Sequence, residues 1–252
     1  MTGHSGALMF VRYAYPPNSM GFCGPADSTA FREYANAGVV DRGLVRLAQA
    51  FSGAWPYLEM IAAGAGIPDP LDRRVVEAYW VGNRLLDAMP LPFLANTLEE
   101  RCRPRIGHRF GWLAEGLLAG GVPHHSFHVF GVYPWVGLLG DDRKAGHALT
   151  VLDRCRIRWG QVSAVHHGQV MVRSRPLLWD GRTLSLGEPQ PETADIAVET
   201  KLAVGDWVSL HWNWVCDRLT GAQLRAPRAY SRRHLDMVNH GVEHSGPAAA
   251  LA

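Results

Sequence analysis

The hydrophobic period of the chain changes near residue 150, and this change constrains the fold more than any single motif. Apolar residues recur at helical spacing before that point and alternate at strand spacing after it. We therefore predict an α+β protein, with an α-helical domain over 1–148 and a small β-barrel domain over 150–240. The Gly-, Ala- and Pro-containing residues 241–252 predict a flexible tail.

The front half carries capping and helix-breaking residues that divide it into helices. Ser28 or Asp27 can cap a segment that ends at Gly38, and Asp41 can cap the next one. A long apolar stripe opens at Asp69 and is ended by Pro90. The predicted helices have the approximate ranges 28–38, 41–51, 55–65, 69–90, 92–102 and 109–119.

The back half alternates in the manner of short strands separated by turns. Valines at strand spacing flank a turn at His167-Gly168, namely Val162, Val165, Val170 and Val172. A second strand, 207–211, follows the turn at Gly205, and an amphipathic segment at 231–238 predicts a last helix. The expected architecture is an OB-like barrel with a terminal helix.

Both ends of this back half carry a distinctive motif. One end reads Cys155-x-x-x-x-Gly160-Gln161-Val162, and the other reads Gly205-Asp206-Trp207-Val208-x-x-His211. Over roughly residues 155–225, this pattern resembles the HypC/HybG family of NiFe-hydrogenase assembly chaperones. In that family the Cys and the His hold an iron fragment. The resemblance implies iron as the bound metal, Cys155 and His211 as its ligands, and hydrogenase assembly factors or the hydrogenase large subunit as protein partners.

Composition and charge argue against several classes of function. The formal net charge of +2 gives no case for a nucleic-acid partner, and there is no apolar run of about 18 residues or more to predict a membrane span. The arginines between Arg225 and Arg233 form the one basic cluster, which we interpret as a solvated face. Residues 1–12 lack the pattern of a signal peptide, so we expect a cytoplasmic protein whose four cysteines are free thiols.

Cys155 and His211 also suit metal binding by their own chemistry. A thiolate and a neutral imidazole fit borderline or soft metals such as iron, with zinc as the alternative. A Cys at the start of the first barrel strand and a His on a late strand can meet at one rim of the barrel. On an extended strand His211 and Asn213 share a face, so we expect Asn213 to contact the bound cofactor. The non-functional alternative is a buried thiol and a core histidine.

Three histidines within five residues form a second candidate metal site. In a helix, His124 and His128 lie one turn apart on one face and can chelate one ion, whereas His125 points about 100° away. In an extended chain, His124, Ser126 and His128 share a face instead. The alternative is that these histidines are structural core residues.

Cys23 supports a different class of function. It lies in a Pro- and Gly-rich loop that begins at Pro16 and precedes a predicted helix, whose dipole would favour the thiolate. A thiol-dependent hydrolase or transferase would use Cys23 as nucleophile and a His of the 124–128 cluster as general base. The sequence therefore leaves three functions open. They are a metal-handling assembly protein, this thiol-dependent enzyme, and a protein-interaction domain with structural histidines. The resemblance favours the first.

Overall fold

The structure, a computed structural model, describes residues 5–26, 28–89, 120–196 and 201–242. Its described part begins with helices, continues into a closed five-stranded barrel and ends with a long helix. The predicted α+β architecture is therefore confirmed. The predicted helices at 92–102 and 109–119 lie outside the described residues, as does the predicted tail from residue 243 onward.

The described helices are named here in chain order. They are α1 Gly6–Ser19, α2 Ser28–Ala37, α3 Arg42–Gln49, α4 Trp55–Gly64, α5 Arg73–Trp80, α6 Arg84–Asp87, α7 His125–Phe127, α8 Ala145–Cys155 and α9 Gly221–Val242. Between α7 and α8 the chain forms a π-helical turn, His128–Val132, and a 3-10 helix, Pro134–Leu138.

Local signals set the boundaries of α2 and α3 as the sequence predicts. Helix α2 ends before Gly38, whose φ of +63° is a conformation that glycine adopts without strain. The Asp41 carboxylate caps α3 by accepting from the backbone N–H groups of Gly43 and Leu44 at 2.8 and 3.0 Å. Both boundaries depend only on residues within one helical turn.

Two other boundaries differ from the prediction. Pro16 was expected to open a loop, but Pro16 and Pro17 lie in the last turn of α1. The stripe expected to start at Asp69 instead begins as α5 after the cap Asp72, and it is interrupted at Gly82, where φ is +95°. A glycine with positive φ ends a helix, which is why the stripe divides into α5 and α6.

The strands are β1 Arg158–His166, β2 Gln169–Ser174, β3 Leu177–Trp179, β4 Leu184–Leu186, β5 Gln190–Ile196, β6 Trp207–His211 and β7 Trp214–Leu219. The barrel has the order β1-β2-β5-β7-β6 and closes by antiparallel pairing of β6 with β1. Strands β5 and β7 pair in parallel, and the other barrel neighbours are antiparallel. Strands β3 and β4 form a separate hairpin.

The barrel has its own small core of aliphatic side chains. Its buried members are Val162, Val170, Val172, Ala194, Val208, Leu210 and Val215. Three of the four predicted valines are among them. Val165 is instead 41% exposed, although it pairs with the buried Val170; it lies near the end of the β1–β2 hairpin, two residues before the turn at His167-Gly168.

Helix α1 packs against the barrel and joins it to the helical part. Arg12 Nη2 donates to Asp217 Oδ2 at 2.9 Å, and Tyr13 Oη lies 2.7 Å from Ser209 Oγ. One hydrophobic core contains residues of the helices together with residues of β1, β7 and α9. The predicted division near residues 148 to 150 falls inside α8, so α8 leads directly from one part into the other.

Helix α9 follows β7 and is longer than the predicted terminal helix. It begins at Gly221, ten residues before the predicted start at Ser231, and it extends to Val242. It contacts β1, β4, β7 and the π-helical turn. Within the described residues, no helix combines the length and the apolar character that crossing a lipid bilayer requires.

Candidate metal centre

His211 is the last residue of β6, and its imidazole is held in one orientation. Its Nδ1 lies 2.7 Å from the backbone carbonyl oxygen of Tyr13 in α1. A carbonyl only accepts, so this contact assigns the proton to Nδ1 and leaves the lone pair on Nε2. Nε2 is buried and has no hydrogen-bond partner. His211 therefore presents a neutral nitrogen in the form that metal ions bind.

The sequence of α1 explains why the Tyr13 carbonyl is available to His211. In a helix this oxygen would accept from the backbone N–H three or four positions later. Residues 16 and 17 are both prolines, which have no backbone N–H to donate. Leaving a buried carbonyl without a donor would be unfavourable. His211 Nδ1–H supplies that donor, so the two prolines in α1 help to orient the imidazole.

Cys155 lies at the C-terminal end of α8 and is 7% exposed. The expectation that it starts the first barrel strand is wrong, because the helix continues through it and β1 begins at Arg158. The apolar residues 148, 151, 152 and 155 have helical spacing and are all buried, which is a signal that the sequence already contained. Cys155 therefore approaches the barrel from a helix end.

The residues next to Cys155 and His211 hold the two side chains together. The Trp212 backbone N–H donates to the Arg154 carbonyl at 2.8 Å, and the Arg158 guanidinium donates to the Trp212 carbonyl. Trp212 has a φ of 54°, an unusual value for a residue other than glycine. The Trp212 N–H and carbonyl are thus bound to Arg154, which precedes Cys155, and to Arg158, which follows it. These two contacts fix the turn after β6 against the end of α8.

His125 in α7 is the third member of the cluster. One ligand atom each from His125, Cys155 and His211 lies within 4.8 Å of the other two, and all three residues are buried. His125 Nε2 lies 2.9 Å from the Cys155 carbonyl, and Nδ1 lies 3.2 Å from Tyr79 Oη. His211 can thus bind a metal as it stands, whereas His125 must release one of its two hydrogen bonds.

Burial keeps the three side chains in their neutral forms. Desolvation lowers the pKa of His125 far below its usual value and lowers the pKa of His211 to about 3. Desolvation also raises the pKa of the Cys155 thiol, and the neighbouring Cys23 thiol adds to this effect. A metal ion would therefore displace a proton from Cys155 and meet two imidazoles that are already deprotonated.

The donor set and its spacing fit a borderline metal ion. One sulfur and two imidazole nitrogens suit iron or zinc rather than magnesium or calcium. Ligands that share such an ion have donor atoms roughly 3.5–4 Å apart, so atoms within 4.8 Å of one another need only a small inward shift. Around them, the Trp80 ring centroid lies 4.6 Å from that of His125 and 5.5 Å from that of His211. This aromatic packing keeps bulk water away from the donors.

A family model matches residues 2–245, which include the helical part, the barrel and all three residues of the cluster. The chain belongs to the DUF6390 family. This is a family of unknown function. No curated protein and no solved structure matches the chain. The resemblance of residues 155–225 to the HypC/HybG chaperones therefore depends on the motif residues alone.

In this DUF6390 protein, the two histidines expected to chelate one ion have different neighbours. His124 Nδ1 lies 2.6 Å from Ser126 Oγ, which lies 2.6 Å from His234 Nδ1 in α9. His128 Nδ1 lies 3.3 Å from Tyr57 Oη, and the His128 ring packs on His125. The chain turns from extended backbone at His124 into α7, so His125 is the histidine that faces Cys155 and His211. Sequence spacing selected the other two, because it cannot fix which side of so short a helix faces the barrel.

Asn213 does not contact the cluster. The expectation placed it on one strand with His211, but the chain reverses at Trp212 and Asn213, and β7 begins at Trp214. Asn213 is exposed, and its Nδ2 donates to Asp195 Oδ2 at 3.0 Å. Its contact stabilises the pairing of β5 and β7 and supplies no donor to a metal.

Cys23 lies in the loop after α1, which Asn18 holds by donating to the carbonyls of Cys23 and Pro25 at 2.9 and 2.7 Å. Because α2 begins only at Ser28, the helix terminus does not favour the thiolate. Burial instead raises the pKa of Cys23 to about 12. Within the described residues, no hydrogen bond joins the Cys23 thiol to a histidine, and the thiol-dependent enzyme stays a prediction.

The described cysteines, Cys23, Cys155 and Cys216, are free thiols, as expected, and Cys102 lies outside the described residues. Cys216 in β7 is buried, and its thiol is 3.9 Å from the Trp214 carbonyl. Although it is a neighbour of β6, it is not a member of the cluster. It therefore offers a matched buried thiol against which Cys155 can be compared.

Proposed function

We propose that this protein binds a transition-metal ion through His125, Cys155 and His211 and holds it as an accessory or assembly factor for a metalloenzyme. Iron is the proposed metal, and zinc is the alternative. The observation that carries the proposal is the meeting of three buried donors within 4.8 Å, brought together from α7, α8 and β6. Buried polar groups are costly without partners, and a metal ion would engage the His211 nitrogen that has none.

The number of donors supports a carrier better than a structural site. Structural zinc sites are closed by four protein ligands, whereas three protein ligands leave a position for another molecule. The described residues contribute three donors to the cluster. An ion held in this way retains a position for a ligand that travels with it or for a donor from the protein that receives it.

The barrel supports a relation to hydrogenase maturation. A small closed barrel of five strands, mostly antiparallel, is the architecture expected of an OB-like domain, and we propose that assignment here. Together with the spacing of the motifs around Cys155 and His211, it supports the HypC/HybG relation. The proposed partners are accordingly hydrogenase assembly factors or the large subunit that receives the iron.

The proposal is tested by metal binding to the full chain. Anaerobic titration with Fe²⁺, Zn²⁺ and Co²⁺ should give one bound ion per chain, and Co²⁺ should show a sulfur-to-metal charge-transfer band. Cys155→Ser should abolish that band, and His211→Gln or His125→Gln should weaken binding at least about tenfold. Cys216→Ser, which removes a buried thiol outside the cluster, should retain both the band and the affinity.

Circular dichroism and thermal unfolding of each variant separate loss of a ligand from loss of the fold. Folded Cys155→Ser protein that still binds Co²⁺ with the charge-transfer band would overturn the proposal. Absence of binding by the unmodified protein for all three ions would do the same. His124→Gln and His128→Gln should keep the metal, because their side chains lie outside the cluster.

A further inference from the structure

A cleft of about 920 Å³ lies on the outside of the barrel, away from the metal centre. Its floor is the outer face of β6, β1 and β2, where Trp207 pairs with Gln161 and Gln161 pairs with Arg173. One wall is α9, which contributes residues at helical spacing from Arg228 to Asn239. The β3–β4 hairpin forms another wall, and it meets α9 where Asn239 exchanges two hydrogen bonds with the Leu184 backbone, at 2.8 and 2.9 Å. None of the three residues of the metal cluster lines this cleft.

The cleft is strongly basic. Arg173 and Arg175 come from the barrel and Arg228 and Arg232 from α9, whereas Asp236 is its one acidic lining residue. In the described part of the chain, no carboxylate forms an ion pair with Arg228 or with Arg232. Arg175 has one long ion pair, 3.8 Å, with Glu188, which is 88% exposed. The other contacts of the barrel arginines are to neutral carbonyls: Arg175 donates to Gly187 at 2.9 Å and Arg173 to Pro189 at 3.3 Å. Four guanidinium groups whose positive charges are scarcely neutralised by carboxylates of the protein favour an anion site over a solvated face.

Aromatic rings lie beside these guanidinium groups. The Arg228 Cζ atom is 5.0 Å from the centroid of the Trp207 ring, and Trp159 also lines the cleft. The Trp207–Arg228 contact holds one guanidinium in place over a ring. Such a pair of planar groups is suited to stacking with a planar heterocycle, while the other arginines bind charged oxygens.

The fold argues against a peptide or a nucleic-acid polymer as the occupant. Peptides commonly add a strand to an open sheet edge, but β1, β2 and β6 each have a paired neighbour on both sides. The net charge of +2 for the whole chain is low for a protein that binds a nucleic-acid backbone. The volume of the cleft is instead within the range of small-molecule sites.

We propose that this cleft binds a nucleoside phosphate, with its phosphates on the arginines and its base beside Trp207 and Arg228. The site is assembled from residues about 50 to 60 positions apart in sequence, Arg173 and Arg175 in one segment and Arg228 and Arg232 in the other. It is independent of the metal centre in residues and in chemistry.

Isothermal titration of the full chain with ATP and with inorganic triphosphate, without divalent metal ions, tests the site. ATP should bind at one site per chain. Combining Arg228→Gln with Arg232→Gln should weaken it at least about tenfold, because charge-assisted contacts are lost. Arg225→Gln removes the same charge from the same helix outside the cleft, and it should change the affinity by less than about twofold. Trp207→Leu should weaken ATP more than triphosphate.

Three results would overturn the proposal. One is no binding of ATP up to about 1 mM, the weak limit of a specific site. The second is an equal loss of affinity in Arg225→Gln and in the double variant, which would show general charge attraction. The third is equal binding of triphosphate and ATP, or binding of a polyglutamate peptide in place of ATP, which would refute the nucleoside assignment.

Discussion

Acidification should unfold the metal-free protein, because four buried histidines are held in their neutral forms. These are His124, His125, His211 and His234, each no more than 4% exposed. Desolvation lowers the pKa of His124 and His211 to about 3 and places the pKa values of His125 and His234 well below the usual value. The unfolded chain, with ordinary pKa values near ~6.5, therefore binds more protons than the folded chain.

The direction and size of the effect follow from this difference in proton binding. Stability is fully present well above pH ~6.5 and is lost as the pH falls through this value towards the lowered folded-state pKa values, which are about 3 for His124 and His211. At pH 5.5 each buried neutral histidine costs about 1.4 kcal/mol, so four cost about 5–6 kcal/mol. Typical domains have about 5–15 kcal/mol in total, and the loss should be a large part of the free energy of unfolding.

Urea denaturation followed by circular dichroism at pH 7.5, 6.5 and 5.5 measures this loss on protein treated with a chelator. The free energy of unfolding should fall by about 1.4 kcal/mol between the first two values and by about 4 kcal/mol between the second and the third. His234→Gln should reduce the steepness of that fall, because one fewer group takes up a proton on unfolding. A free energy that stays constant from pH 7.5 to 5.5 would refute the argument that these imidazoles are buried and neutral.

Two further predictions concern packing and buried charge. Glu192→Gln should lower the free energy of unfolding by about 3 kcal/mol in urea denaturation, because the Arg158 guanidinium, 2% exposed, would keep its charge without a carboxylate partner; a loss under about 1 kcal/mol would contradict this. Gly82→Ala should lower the thermal midpoint more than Gly181→Ala. The two glycines have φ values of +95° and +94°, but only at Gly82 would a Cβ atom collide with the Tyr230 ring. Equal midpoints for the two alanine variants would show that backbone strain alone sets the cost.

Much of the fold could be predicted because its signals are local. Asp41 starts α3 and Gly38 ends α2 through atoms within one helical turn. The alternation of Val162, Val170 and Val172 places these side chains inside the barrel. The failures at this level are also local. The helical spacing that ends at Cys155 is present in the sequence, although the motif around Cys155 predicts the start of a strand there.

The candidate site was only partly predictable, because its geometry depends on segments far apart in the chain. Family resemblance indicated Cys155 and His211, and the structure brings them together, whereas the choice of His125 over His124 and His128 depends on how α7 packs against α8 and β6. The neutral Nε2 of His211 in turn depends on the Tyr13 carbonyl, 198 positions away.

The sequence by itself determined that helices come first and barrel strands follow, because capping, periodicity and turn chemistry act over a few residues. Tertiary structure decided which histidine joins Cys155 and His211, turned Asn213 away at the reversal between β6 and β7, and brought Arg173 and Arg175 into one cleft with Arg228 and Arg232. The physical reason is that burial and donor–donor distance are properties of the packed core. Only the closing of the barrel against α1, α8 and α9 fixes them.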